Sequence, residues 1–284
     1  MTGGVRTLDL DLSGIRVRLE GPGDGVLDRF RSAWEIWLGS PVSSPDLVLE
    51  YRVSGDPPPD QTVLRKVLHL EESDDRISIT TGEGRVDLDR KGRAQAVVRR
   101  GGDNFRFYAL ANLLLASLAR VLPDCGAVVV HGAGILMKGG AVALVGPEGA
   151  GKTTWSRIAS AAGAAVLSDD LLFLRIEGEQ VLALGSPYRA DRTAPVGPGK
   201  WPLGILLAAK HAVLPEILPC SRLRFLGLLS ANLPFSADGV GSDPRLDRIL
   251  DAILDKVPFR TLAFAPEPSF MPVIGEALAR RPGR

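Results

Sequence analysis

The chain has 284 residues, of which 45% are hydrophobic and 24% charged, and its formal net charge is +1. That length accommodates two modest domains or one large one, and that composition belongs to a globular chain rather than a disordered or fibrous one. The near-neutral balance supplies no bulk attraction for nucleic acid or a membrane surface, so neither is expected as a partner. Two cysteines, Cys125 and Cys220, are too few for a disulfide framework and lack metal-ligand spacing, which points to a reducing, cytoplasmic setting. The opening MTGGVRTLDLDLSG lacks the apolar core of a signal peptide. The apolar run across 126–145 is interrupted by His131, Lys138 and several glycines, and reads as buried strands rather than a membrane span.

Residues 1–103 are expected to form an α+β domain, an antiparallel sheet with one helix. Leu8, Leu10 and Leu12 alternate with Asp9 and Asp11, and Ile15, Val17 and Leu19 with Arg16 and Arg18, the period of half-buried strands. Val26, Phe30, Trp34 and Trp37 recur at helical spacing. Further strands are expected at 46–53, 67–72, 76–81, 84–88 and 94–98, separated by turn residues. His69 reads as an ordinary strand histidine, and no chemical constellation stands out in this domain.

Gly101, Gly102, Asp103 and Asn104 mark the expected boundary, leaving 104–284 as the second, α/β domain. Phe107, Leu110, Leu114, Leu118 and Val121 trace a helix that Pro123 ends. Strands are expected at 127–130 and 141–145, with 132–140 separating them. After a helix from Thr154 to Ala162 come an apolar strand ending in Ser168, Asp169 and Asp170, a hairpin at 171–176 and 180–184, a helix at 244–256, a strand at 259–264 and a last helix at 270–279. The Pro- and Gly-rich 185–242 yields no assignment.

The chemistry gathers around one stretch. Gly146, Pro147, Glu148, Gly149, Ala150, Gly151, Lys152 and Thr153 have the form G-x-x-x-x-G-K-[ST] between an apolar strand and a helix, the pattern of a phosphate-binding P-loop. Glycines let successive backbone N–H groups turn inward, and the helix N-terminus adds its positive dipole end at Lys152, Thr153 and Thr154. Lys152 supplies a charge for the β- and γ-phosphates, and the Thr153 hydroxyl a ligand for Mg²⁺. Asp169 and Asp170 follow at a strand end, where one carboxylate can hold the ion while the other accepts a proton. His131 ends the strand that precedes the loop strand, so it is expected on the same edge; a satisfied core histidine is the alternative.

The segment VVVHGAGILMKGGAVALVGPEGAGKTT followed by AAVLSDDLLFLR resembles the HPr serine kinase/phosphorylase family, and more closely the HPr-kinase-related proteins. The shared pattern is a strand ending in His, a short hairpin, a P-loop, and a strand ending in Asp-Asp. The resemblance is specific across about 126–176 and weaker over 177–281, and residues 1–103 add little to it. It implies a nucleotide-binding fold like that of phosphoenolpyruvate carboxykinase, a mixed sheet flanked by helices. It also implies Asp169 as base with His131 as its partner, Thr153 and Asp170 as Mg²⁺ ligands, and Lys152 on the phosphates. One departure is the family's Glu-x-Arg-Gly signature, tied to metal binding and dephosphorylation, which is absent here; Glu177 and Glu179 are poor substitutes. Arg189 and Arg192 are alternative contacts for phosphate or an acidic substrate.

The expected function is therefore an ATP- and Mg²⁺-dependent kinase acting on a hydroxyl, most simply a serine of a protein or peptide. A kinase for a small hydroxyl substrate such as free serine is one rival, and a nucleotide-binding module without catalysis another. The family's hexamers make a homo-oligomer an expectation as well.

Overall fold

The computed structural model describes residues 5–57, 69–188, 196–235 and 243–280. Among these the chain is a mixed α/β protein with two mixed sheets and six α-helices, divided into compact units that meet at Val121 and Leu122.

In the first unit the strands are β1 (Arg6–Asp11), β2 (Arg16–Gly21), β3 (Leu47–Val53), β4 (His69–Glu72), β5 (Arg76–Thr81), β6 (Gly84–Asp89) and β7 (Arg93–Val98). They form one sheet in the order β1-β2-β3-β7-β6-β5-β4. The sheet is mixed rather than antiparallel, because β3 runs parallel to both β2 and β7. Helices α1 (Val26–Ala33) and α2 (Asp103–Val121) bury their apolar stripes, the tilted rings of Phe30 and Phe107 lying 4.6 Å apart between centroids. The expected boundary at 103/104 falls at the start of α2, and the compact unit continues to the end of that helix. The reason is packing: Phe107, Leu110, Leu114 and Leu118 are buried, and α2 lies against β3, β6 and β7. The stretch Asp103–Cys125 is the one helical segment among the described residues long and apolar enough to cross a membrane, and 67% of its apolar window is buried, as in a core helix.

The second unit carries β8 (Ala127–Met137), β9 (Gly140–Val145), α3 (Lys152–Ala161), β10 (Ala165–Ser168), β11 (Leu171–Glu177), β12 (Gln180–Leu184), β13 (Lys200–His211), β14 (Glu216–Leu218), α4 (Arg222–Ala231), α5 (Pro244–Lys256), β15 (Phe259–Phe264) and α6 (Phe270–Ala279). The sheet order is β10-β8-β11-β12-β13-β15-β14, with β9 paired to both β8 and β13. Caps explain two of the helix starts: Ser221 accepts from the Arg224 amide before α4, and Asp243 from Arg245 before α5, where Pro244 takes the first helical position. Two apolar layers hold the unit. One joins β-strand residues such as Val128, Ala143 and Leu206 to Phe225, Leu229 and Ile253 of α4 and α5. The other joins Ile135, Leu144 and Leu207 to Trp155 of α3 and Phe270 and Ile274 of α6.

Two expectations change here. Residues 127–130 are only the first part of β8, which runs through 132–137 instead of breaking into a loop. Its first half pairs with β11 and its second with β9 and β10. Gly132 and Gly134 sit inside the strand because neighbours press close: a Cβ at Gly132 would lie 3.1 Å from the Leu144 carbonyl oxygen, and one at Gly134 2.8 Å from a Leu172 methyl. Within 185–242, the described residues form β13, β14 and α4.

Candidate active site

The loop, His131 and the two aspartates arrive at one edge of the second sheet, through the register of the strands. β9 delivers Val145 and then Gly146 to the start of the loop. Across from Val145 stands Gly132 of β8, so His131 is one residue from the mouth of the loop. On its other side His131 faces Leu171 of β11, and the Gly132 amide donates to the Asp170 carbonyl at 2.9 Å. The two aspartates occupy the bend between β10 and β11, immediately before that pairing begins. His131 is thus not at a strand end. It stands inside β8 where the strand exchanges one partner for another, and its own amide donates to the Asn232 carbonyl at the end of α4, 2.6 Å away.

The loop turns through 146–151 with Gly149 and Gly151 at φ of 77° and 88°, backbone that side chains with a Cβ rarely adopt. Gly146 is needed for closeness, since a Cβ there would meet those of Ala150 and Ala209 at 3.0 and 3.1 Å. Gly151 precedes α3, so the unpaired amides of the first helical turn, from Lys152, Thr153 and Thr154, open toward the loop. Lys152 folds its ammonium back to donate to the carbonyls of Gly146 at 2.7 Å and Pro147 at 3.0 Å. Burial lowers its pKa from that of an ordinary lysine, and the negative charges of Asp170 and Glu148 act against that shift.

Opposite the loop, His131 Nδ1 lies 3.6 Å from Asp170 Oδ1, both side chains half-exposed. The carboxylate beside the imidazole is therefore that of Asp170, while Asp169, expected as its partner, is buried at 2% exposure. The bend carrying both is pinned by Ser168, which the sequence places just before the acid pair and which was not counted among the site residues. Ser168 is fully buried; its Oγ donates to the Tyr188 carbonyl at 3.0 Å and accepts from the amides of Asp170 at 3.3 Å and Leu171 at 3.2 Å.

A second residue missed from sequence is His211, the last of β13, whose Nε2 lies 3.4 Å from the Gly149 carbonyl oxygen on the far flank of the loop. The same strand-end logic that singled out His131 and the aspartates would have found it, had β13 been recognised. Glu177 and Glu179 are engaged elsewhere, Glu177 with Lys200 at 2.7 Å and Glu179 with Lys256 at 2.9 Å. The Lys200 hydrogen bond lowers the pKa of Glu177. Arg189 and Arg192 lie outside the described residues.

The donor set suits a hard cation that keeps most of its water. Thr153 offers a hydroxyl in the first turn of α3 and Asp170 a half-exposed carboxylate, and Mg²⁺ is ordinarily held by one or two protein oxygens together with phosphate. No group of three or more His, Cys, Asp or Glu able to hold a metal occurs among the described residues. A scan against protein-family models finds no match for this chain, and a search of curated proteins finds none either.

Proposed function

We propose that the chain is an ATP- and Mg²⁺-dependent kinase that transfers the γ-phosphate to a hydroxyl, that of a serine in a protein or peptide. The observation that carries this reading is the convergence of the P-loop, Lys152, the acid pair and His131 on one sheet edge, brought there by the β8–β9 and β8–β11 registers. A phosphate-binding loop alone would serve binding as well as transfer. Adjacent carboxylates with an imidazole beside them add the means to divide metal holding from proton acceptance.

In this reading the amides of the loop and of the first turn of α3 hold the phosphate chain, and Lys152 leaves its two carbonyl acceptors to neutralise the terminal phosphates. Thr153 and Asp170 hold Mg²⁺, which supplies charge neutralisation on the phosphate oxygens. Support for Asp170 in that role comes from its negative charge acting on Lys152 of the loop and from its half-exposed carboxylate. Asp169 accepts the proton of the acceptor hydroxyl, and His131 orients the acid pair through Asp170. Ser168 keeps the bend that carries both carboxylates in place. The sequence lacks the family's Glu-x-Arg-Gly signature, which favours a forward kinase over a phosphorylase in this reading. The resemblance extends the proposal to a cytoplasmic homo-oligomer, which light scattering after size-exclusion chromatography tests.

The deciding experiment incubates the protein with γ-labelled ATP and Mg²⁺ in the presence of free serine, serine-containing peptides and candidate proteins, with mass spectrometry locating the phosphate. Label on a peptide or protein serine is the expected result. Label on free serine alone would make it a small-molecule kinase. Nucleotide binding without transfer to any acceptor would reduce it to a binding module.

A further inference from the structure

The P-loop has two flanks, and the catalytic groups occupy only one. His131 and Asp170 lie on the side of β9 where β8 and β11 run, whereas β13 and β15 end on the other side. A phosphate chain whose terminal group faces the acid pair must send its remaining end away from it, over β13 and β15. We infer that the turn joining β13 to β14, with His211 at its base, is the wall on which the nucleoside of the bound nucleotide rests. The inference builds on the phosphate-binding reading above and adds the recognition of a base to it.

Three observations converge on the turn. His211 reaches the loop itself, its Nε2 3.4 Å from the Gly149 oxygen and its ring 3.7 Å from where a Gly151 Cβ would be. The turn is fixed at both ends, by the Ala212 amide donating to the Phe264 carbonyl at 3.0 Å and by the antiparallel pairing of β14 with β15. Between those anchors Val213 and Leu214 stand 88% and 76% exposed. Single exposed aliphatic residues are ordinary, but an adjacent pair held rigidly beside a phosphate-binding loop offers an apolar face where a purine ring would lose contact with water. A preformed wall of this kind adds affinity without the cost of ordering a loop.

Calorimetric titration with ATP and with inorganic tripolyphosphate, both with Mg²⁺, tests this on the wild-type protein and on the double variant Val213→Ser, Leu214→Ser. The expected result is that the double variant binds ATP about tenfold more weakly and tripolyphosphate as before, because only the nucleoside touches the turn. Leu214→Phe, which enlarges the apolar face, is expected to tighten ATP alone. Unchanged ATP affinity in both variants overturns the inference and leaves the phosphate-binding reading standing, as does a parallel loss of ATP and tripolyphosphate in the double variant. Failure of the wild-type protein to bind either ligand overturns both.

Discussion

The two units handle polar groups in opposite ways. In the first, polar side chains lie on a sheet face and answer one another: Arg18 of β2 holds Asp9 of β1 at 2.9 Å, Arg85 holds Asp87 two residues along β6 at 2.9 Å, and Ser78 of β5 donates to Asp87 as well. The most enclosed set is Tyr51, Asp24 and Arg106, where Asp24 accepts from the tyrosine hydroxyl at 2.6 Å and from the guanidinium at 2.7 Å. That set ties α2 and the loop before α1 to β3. In the second unit the polar groups of interest stand at strand ends and at one change of strand partner, where His131 and Asp170 are half-exposed while Asp169 is buried. A polar residue on a sheet face is consumed by its neighbours; one at an edge of the sheet stays available for a ligand. The contrast is what the proposed kinase reading predicts, with structural ion pairs in the first unit and the candidate site in the second.

Substitutions in each unit can break that contrast. The largest effect is expected from Asp169→Asn, which lowers kcat by about 10²–10⁴-fold, the usual worth of a general base, while calorimetry still records nucleotide binding. Asp170→Asn is expected to raise the Mg²⁺ concentration needed for half-maximal rate; if it instead behaves as the base variant does, the two roles exchange. In the first unit Gly84→Ala drives a Cβ to within 2.2 Å of the Val97 carbonyl oxygen, a backbone atom that cannot swing away. Urea unfolding should show a loss of about 2–3 kcal/mol, the range for overpacking a tight site, with nucleotide affinity untouched.

A smaller loss, about 2 kcal/mol, is expected from Asp24→Asn, which takes from the largely buried Arg106 the more enclosed of its two carboxylate partners and leaves only the exposed Asp103. The smallest effect is a dependence on pH. Burial, and then the hydrogen bond to Asp24, raise the pKa of Tyr51 above that of a free phenol. Above a pH of about 10 the unfolded tyrosine gives up its proton while the folded one retains it, so stability falls as pH rises through that range. Tyr51→Phe should flatten this alkaline slope, read from urea midpoints across pH. A nucleotide affinity that tracked any of the first-unit variants would sink the division of labour between the units.

How much of this was legible in the sequence depends on how local the cause was. The helix Pro244–Lys256, the strand Phe259–Phe264 and the helix Phe270–Ala279 follow from apolar spacing, and the first carries its own cap in Asp243 and Pro244. The middle of β8 did not, because Gly132 and Gly134 look like turn residues until Leu144 and Leu172 are seen pressing on them. Nor did β13, where Pro202 and Gly204 interrupt the strand pattern and the register slips between Leu203 and Ile205. Parallel pairing of β3 with β2 and β7 joins residues far apart in sequence, and no local signal reports it. At the candidate site the loop and the acid pair were plain from spacing alone. The pairing of His131 with Asp170 and the approach of His211 come from strand register, and the hold of Ser168 on Tyr188 from a contact 20 residues away, which only the folded chain displays.

The hydrogen bond from the His131 amide to Asn232 has a consequence for local opening. The amides of a strand are normally shielded from solvent exchange by the strands beside them and open only when the sheet does. That of His131 is shielded by the end of α4. Fraying of that one helix end would therefore release the backbone beside the His131 imidazole while the rest of β8 remained locked in its ladders. In a deuterium-exchange experiment His131 would keep time with Asn232 rather than with its neighbours Val130 and Gly132, giving a single-residue clock for motion of α4 at the active-site edge.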